Sequence, residues 1–160
     1  MKAAVLESIP GRLEIQDIDI DEPGPHEVLM RTKAAGACHS DLHFVKGIYS
    51  LDVPFVAGHE SAGIVEAVGS EVDYVEPGDL IVTTVPGFCG HCTHCLTGHP
   101  NLCYAESLGR QPGERPRLSR EGDPVGQFYN ISAFAELQLL HETQVIKIPG
   151  DIPVEVAALL

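Results

Sequence analysis

Basic side chains are scarce. Lysine and arginine together number 10, against 23 aspartates and glutamates in 160 residues, for a formal net charge of −13. That balance argues against a nucleic-acid partner, whose phosphates are met by a basic footprint, and equally against an anionic membrane surface. Long apolar runs are also missing: nothing approaches the roughly eighteen consecutive residues of a spanning helix. The opening MKAAVLESIPGRLEIQ has no basic head followed by a long apolar stretch, so no signal peptide is predicted and a cytoplasmic chain is expected. No internal repeat or low-complexity tract occurs. Nor does any G-x-G-x-x-G, since GHESAG and GIVEAVG lack the spacing of a phosphate-cradling turn.

What is present points to short strands and many turns, with 16 glycines and 12 prolines. The length suits one domain, or one domain and part of another. Extended patterns fall at 2–7, 13–20, 27–35, 61–69, 79–85, 132–140 and 143–149, although 132–140 is ambiguous with helix. In the second of these, the apolar positions shift by one between Leu13/Ile15 and Ile18/Ile20, which suggests a bulge. Turns are read at 21–27 and at Glu76–Asp79, where Pro77 and Gly78 supply the two special backbone angles. A short helix is expected over 40–47, capped by Ser40 or Asp41 and ended by Gly47. Residues 104–130 read as a long polar loop, functional or mobile. The fold class expected is mainly β (α+β), a rolled or partly open barrel carrying a metal-bound loop.

Cysteine is concentrated. Four of the five lie in CGHCTHCLTGHPNLC, as Cys89, Cys92, Cys95 and Cys103. Two residues between thiolates let both sulfurs reach one ion at about 2.3 Å, and four sulfurs close a tetrahedral structural zinc site. Gly90 and Gly98 permit unusual backbone angles there, and Pro100 stiffens the return. Disulfides would need an oxidising compartment. With four thiols in place, His91, His94 and His99 read as exposed loop residues.

The fifth, Cys38, stands alone in AAGACHSDLH, among His39, Ser40, Asp41 and His43. Some twenty residues on, PFVAGHESAG holds His59 and Glu60. A lone cysteine or histidine is ordinarily a packed core residue. Thiolate, imidazole and carboxylate together make an open zinc set with a position left for water or substrate.

GACHSDLH, GHESAGIVEAVG and the four-cysteine loop with its 3, 3, 8 steps, in that order and at those distances, resemble the N-terminal catalytic domain of zinc-dependent alcohol dehydrogenases of the medium-chain dehydrogenase/reductase superfamily. The resemblance covers essentially the whole chain. It implies a GroES-like β domain over 1–150, with 151–160 starting the helix toward a Rossmann domain that binds NAD or NADP. It implies that Cys38 and His59 hold a catalytic zinc, with Glu60 an adjacent acid able to approach the metal. Ser40 takes the alcohol proton, His43 passes it to solvent, Asp41 orients the zinc-bound histidine, and His39 contacts the cofactor pyrophosphate. Substrates would be a small alcohol or aldehyde, and the parent enzyme a homodimer or homotetramer.

Two departures from that pattern matter. The family's further catalytic cysteine is missing, since the loop and Cys38 use all five thiols. The C-terminal GDIPVEVAALL starts like a helix, with Asp151 near its cap, Pro153 in the first turn and Glu155 at the positive end, then stops on an apolar turn. A truncated chain, inactive alone, is therefore expected. The alternatives are a non-enzymatic zinc-binding module or a chaperonin-10-like interaction module; the first leaves Cys38 and His59 unexplained, and the second needs no zinc.

Overall fold

A computed structural model describes residues 1–104, 108–111 and 113–160. Its strands are β1 (Lys2–Leu6), β2 (Leu13–Asp17), β3 (Asp19–Ile20), β4 (Glu27–Gly36), β5 (Phe55–Val56), β6 (Glu60–Val68), β7 (Leu80–Thr83), β8 (Leu118–Arg120), β9 (Asp123–Pro124), β10 (Gly126–Gln127), β11 (Leu137–His141) and β12 (Val145–Lys147). The helices are short: α1 (His39–Val45), α2 (Thr93–Leu96) and α3 (Val154–Ala157). The strands form three sheets, ordered β10-β5-β1-β2, β11-β4-β6-β7-β12 and β3-β8-β9. The mainly β, partly open barrel expected from the sequence is what forms.

The five-stranded sheet carries the largest core. Val28 and Met30 of β4, Val65 of β6, Ile81 of β7, Leu140 of β11 and Val145 of β12 are buried together. Each such side chain contributes about 1.5–3 kcal/mol when taken out of water. β4 and β6 run antiparallel with register shifts at Leu29/Met30 and Thr32/Ala34. Gly63 is required there, because a Cβ on it would lie 2.2 Å from the Arg31 carbonyl oxygen.

Several local readings change. The apolar shift in 13–20 is a change of sheet, not a bulge within one strand: β2 pairs with β1 and β3 with β8. Between them Ile18 turns into the core, while Ile15 on the edge strand is 72% exposed. Helix α1 is capped by Cys38 rather than Ser40 or Asp41; Asp41, three residues in, takes the Cys38 N–H on its Oδ2 at 3.1 Å. Gly47 does end it, at φ +74°. The stretch 104–130 contains the β8–β9 hairpin and β10, although its residues 105–107 and 112 lie outside the described residues. In α3, Pro153 is the capping residue, ahead of the first turn.

The loop before β8 is held by buried charge. Glu27, 6% exposed, accepts from Arg117 Nε at 2.6 Å and from Arg110 Nη2 at 2.7 Å; Arg110 also pairs with Asp21. Burial alone would raise the Glu27 carboxyl, but the two guanidiniums and the Gly24 N–H outweigh it and bring it to about 2. Burial pulls down on Arg117, yet a guanidinium stays protonated at any pH a folded protein meets, so the pH dependence belongs to Glu27. A carboxyl lowered on folding contributes stability above its unfolded value near 4.5, and that contribution drains away as pH falls toward about 2. Glu27→Gln is expected to cost roughly 3–5 kcal/mol at neutral pH, because two partly buried cations lose their counter-charge. Urea melts of parent and variant should converge as pH falls below 4.5; a gap independent of pH would rule the ion network out.

Candidate metal centres

The four loop sulfurs converge. Cys92 Sγ lies 3.5 Å from Cys95 Sγ and 3.9 Å from Cys103 Sγ, and Cys89 Sγ lies 4.0 Å from Cys95 Sγ. A tetrahedron with 2.3 Å spokes has edges of about 3.8 Å, so the spacing fits one zinc. It fits no disulfide, which needs about 2.05 Å. Gly90 and Gly98 adopt φ +77° and +82°, the left-handed turns that carry the chain around the cluster. Backbone N–H groups of Cys89 and Cys92 point at Cys103 Sγ and Cys89 Sγ, both at 3.4 Å, which favours thiolates. The thiols divide their charge unevenly. The Cys95 N–H and the other three thiols, working against burial, bring Cys92 down to about 6, whereas burial and the thiols of Cys92, Cys103 and Cys89 push Cys95 up to about 11. Four crowded thiols do not all ionise without a cation among them. His91 and His99 are exposed, as the sequence indicated; His94 is half-buried, edge-on to Tyr104 at 5.3 Å.

The second cluster is assembled by strand register. In the β4–β6 ladder Gly36 pairs with Glu60, so the chain leaving β4 and the chain entering β6 meet at one sheet end. Cys38 lies two residues beyond the first, and His59 one residue before the second. The ligand atoms of Cys38, His59 and Glu60 all fall within 4.8 Å of one another. A Cβ on Gly36 would sit 2.3 Å from a Glu60 carboxylate oxygen, so a side chain there would push that carboxylate out of the cluster.

Asp41 ties both ligand segments together. It is 8% exposed; Oδ2 accepts the Cys38 N–H at 3.1 Å and Oδ1 the Gly58 N–H at 3.2 Å. The same Oδ1 lies 3.5 Å from His59 Nδ1, which is buried without a hydrogen-bond partner. That gap is longer than a formed bond, and a small ring movement closes it. Gly58 has φ +87°, and a Cβ on it would meet the Phe134 ring at 2.6 Å. The other His59 nitrogen, Nε2, is 3.4 Å from the Ser40 hydroxyl.

His43, one turn after Ser40 on α1, stacks edge-on with His39 at 4.9 Å and with Tyr49 at 5.1 Å. Among the described residues no hydrogen bond joins it to Ser40. His39 is exposed at the helix start. The sequence reading missed the aromatic wall: Phe128 and Tyr129 stand edge-on to His59 at 5.3 and 5.5 Å. Neither carries a sequence signal, because both come from the stretch read as a structureless loop.

These two clusters sit on a domain with known counterparts. The family described as the alcohol dehydrogenase GroES-like domain matches residues 24–150. The chain belongs to that family. It is 38% identical over 161 aligned residues to putative alcohol dehydrogenase D of Mycobacterium tuberculosis, covering 99% of this chain and 44% of that protein. Among solved structures, an alcohol dehydrogenase zinc-binding domain protein from Burkholderia ambifaria superposes with a TM-score of 0.88 at 36% identity, over 98% of this chain and 44% of that one. Acetophenone reductase from Geotrichum candidum, solved in complex with NAD, gives 0.75 at 33% identity, over 99% and 42%. The GroES-like domain described here thus spans less than half the length of the relatives it matches. No helix in it, among the described residues, is long and apolar enough to cross a membrane.

Proposed function

We propose that the chain is the metal-carrying domain of a zinc-dependent alcohol dehydrogenase, acting in the reversible oxidation of a small alcohol to an aldehyde or ketone with NAD or NADP. The observation that carries this reading is the convergence of Cys38, His59 and Glu60 beside Ser40, with Asp41 clamped beneath. A purely structural or interaction module would need only the four-cysteine loop. In this reading residues 1–150 form the catalytic domain and 151–160 lead away from it. The relatives' further length, beyond the matched region, is where a cofactor domain and the contacts of a homodimer or homotetramer belong. The cytoplasm suits it, since five thiols outside disulfides persist in reducing compartments.

Cys38, His59 and Glu60 would hold the catalytic ion, and Cys89, Cys92, Cys95 and Cys103 the structural one. Zinc in the first site would supply Lewis acidity toward a substrate oxygen, and a bound nicotinamide would supply the hydride acceptor. The chain's own residues do the rest. Asp41 fixes the backbone on both sides of the ligand pair and faces the His59 Nδ1, which leaves Nε2 to the metal. Ser40, 3.4 Å from that nitrogen, is placed to receive a proton from a substrate hydroxyl. His43 lies three residues along the same helix face, half-buried at the solvent boundary, and accepts that proton through an intervening hydroxyl or water. His39, exposed at the helix start, would contact a cofactor phosphate in this reading.

Metal analysis should return one full zinc ion per chain in the four-cysteine loop and a second at lower occupancy, and Cys38→Ser should remove the second without unfolding the domain. A protein joining this domain to a cofactor domain should form NAD(P)H in the presence of an alcohol, and residues 1–160 by themselves should not. In the active protein His43→Ala should slow turnover by roughly 10²–10⁴-fold while zinc content stays the same, and added imidazole should recover part of the loss. Unchanged turnover across the pH range would leave His43 as a helix residue only.

A further inference from the structure

Gln144 is 1% exposed, in the turn between β11 and β12. Its side-chain Nε2 donates to two carbonyls from separate parts of the chain, Tyr129 at 3.0 Å and Val85 at 3.2 Å. Both acceptors are carbonyl oxygens, so the amide cannot be turned the other way. Its Oε1 is left buried without a hydrogen-bond partner. A buried polar atom without a partner is unfavourable, so what this side chain contributes is its pair of N–H bonds.

Both carbonyls belong to residues beside the Cys38–His59–Glu60 cluster. Val85, just past β7, lines a cavity of about 140 Å³ with His59 and Glu60. Tyr129 places its ring 5.5 Å from the His59 ring. Tyr129 is also in the left-handed region at φ 52°, and Asn130 and Ser132 follow at 60° and 63°. Asparagine adopts that conformation readily, but tyrosine and serine seldom hold it unless surrounding contacts fix it. Gly87, at the base of the four-cysteine loop, closes over the same side chain: a Cβ there would lie 2.7 Å from Gln144 Cγ. We propose that Gln144 is a positioning residue, whose amide holds the Tyr129 and Val85 walls in place about the Cys38–His59–Glu60 cluster. Its importance for turnover rests on the function proposed above; its effect on His59 does not.

The test is the histidine-ring NMR spectrum of the zinc-loaded chain. Gln144→Met keeps the length of the side chain and removes both N–H bonds. It should shift the His59 ring signals beyond their line width, in the same sense as Tyr129→Leu, while zinc in the four-cysteine loop stays stoichiometric. If Tyr129→Leu moves His59 and a folded Gln144→Met does not, the proposal is overturned. Should Gln144→Met fail to fold, hydrogen exchange of the Gln144 side-chain amide in the parent protein decides: strong protection supports the pair of hydrogen bonds, and exchange as fast as at exposed Gln111 overturns it. A failure of the proposed function would show differently, as His59 signals that do not respond to zinc.

Discussion

Replacing Cys92 with serine is expected to remove one zinc ion per chain and to open residues 89–103. A serine hydroxyl does not ionise near neutral pH, so three thiolates would remain around the ion. The loop has little else to hold it. Helix α2 has four residues and buries none of them, whereas isolated helices need about 12–15 to persist. Leu96 and Leu102 are 74% and 54% exposed, so among the described residues these two add no apolar core under the cysteines. In small metal-folded peptides zinc supplies about 10–16 kcal/mol of apparent folding free energy, and here that coupling falls on the loop. The five-stranded sheet has its own core and should persist, so unfolding becomes multi-step. Metal analysis and amide exchange across 89–103 measure both effects. A loop that keeps its protection and its zinc in the variant would exclude the four-sulfur site.

Asp41→Ala should be the most damaging change near the second cluster. It leaves the Cys38 and Gly58 N–H groups without acceptors, at about 1–3 kcal/mol for each donor, or roughly 2–6 kcal/mol together. It also frees the two segments that carry the ligands, and loss of such a supporting carboxylate typically lowers metal affinity by about 10–100-fold. Asp41→Asn keeps one acceptor and should fall between parent and Asp41→Ala on both measures. Urea denaturation at unchanged slope gives the stability term, and competition with a chromophoric chelator gives the affinity. An Asp41→Ala protein within about 0.5 kcal/mol of the parent, the range of an ordinary surface change, would show that the clamp carries no weight.

The sequence alone determined whatever depends on neighbours along the chain. Cys89, Cys92, Cys95 and Cys103 read as one site because turns two residues long bring sulfurs together without help from elsewhere, and the left-handed Gly90 and Gly98 are part of that same local geometry. Strand positions were legible wherever one face is buried and the other wet, as along β4. Ile18 shows the limit: its apolar shift was visible, but whether it bends one strand or sends the chain into another sheet depends on β8, a hundred residues away in sequence. Cys38, His59 and Glu60 could be grouped from the sequence by residue type and by the family resemblance, but what brings them together is the Gly36–Glu60 register of the folded sheet. Only the tertiary structure decided that Asp41 grips both ligand segments, that Phe128 and Tyr129 wall His59, that Glu27 neutralises Arg110 and Arg117, and that Gln144 spans Val85 and Tyr129. Each of those contacts joins segments that approach only after the sheets have packed. The side chains that make them carry no periodicity, since a hydrogen bond or ring contact depends on position in space and not on spacing along the chain.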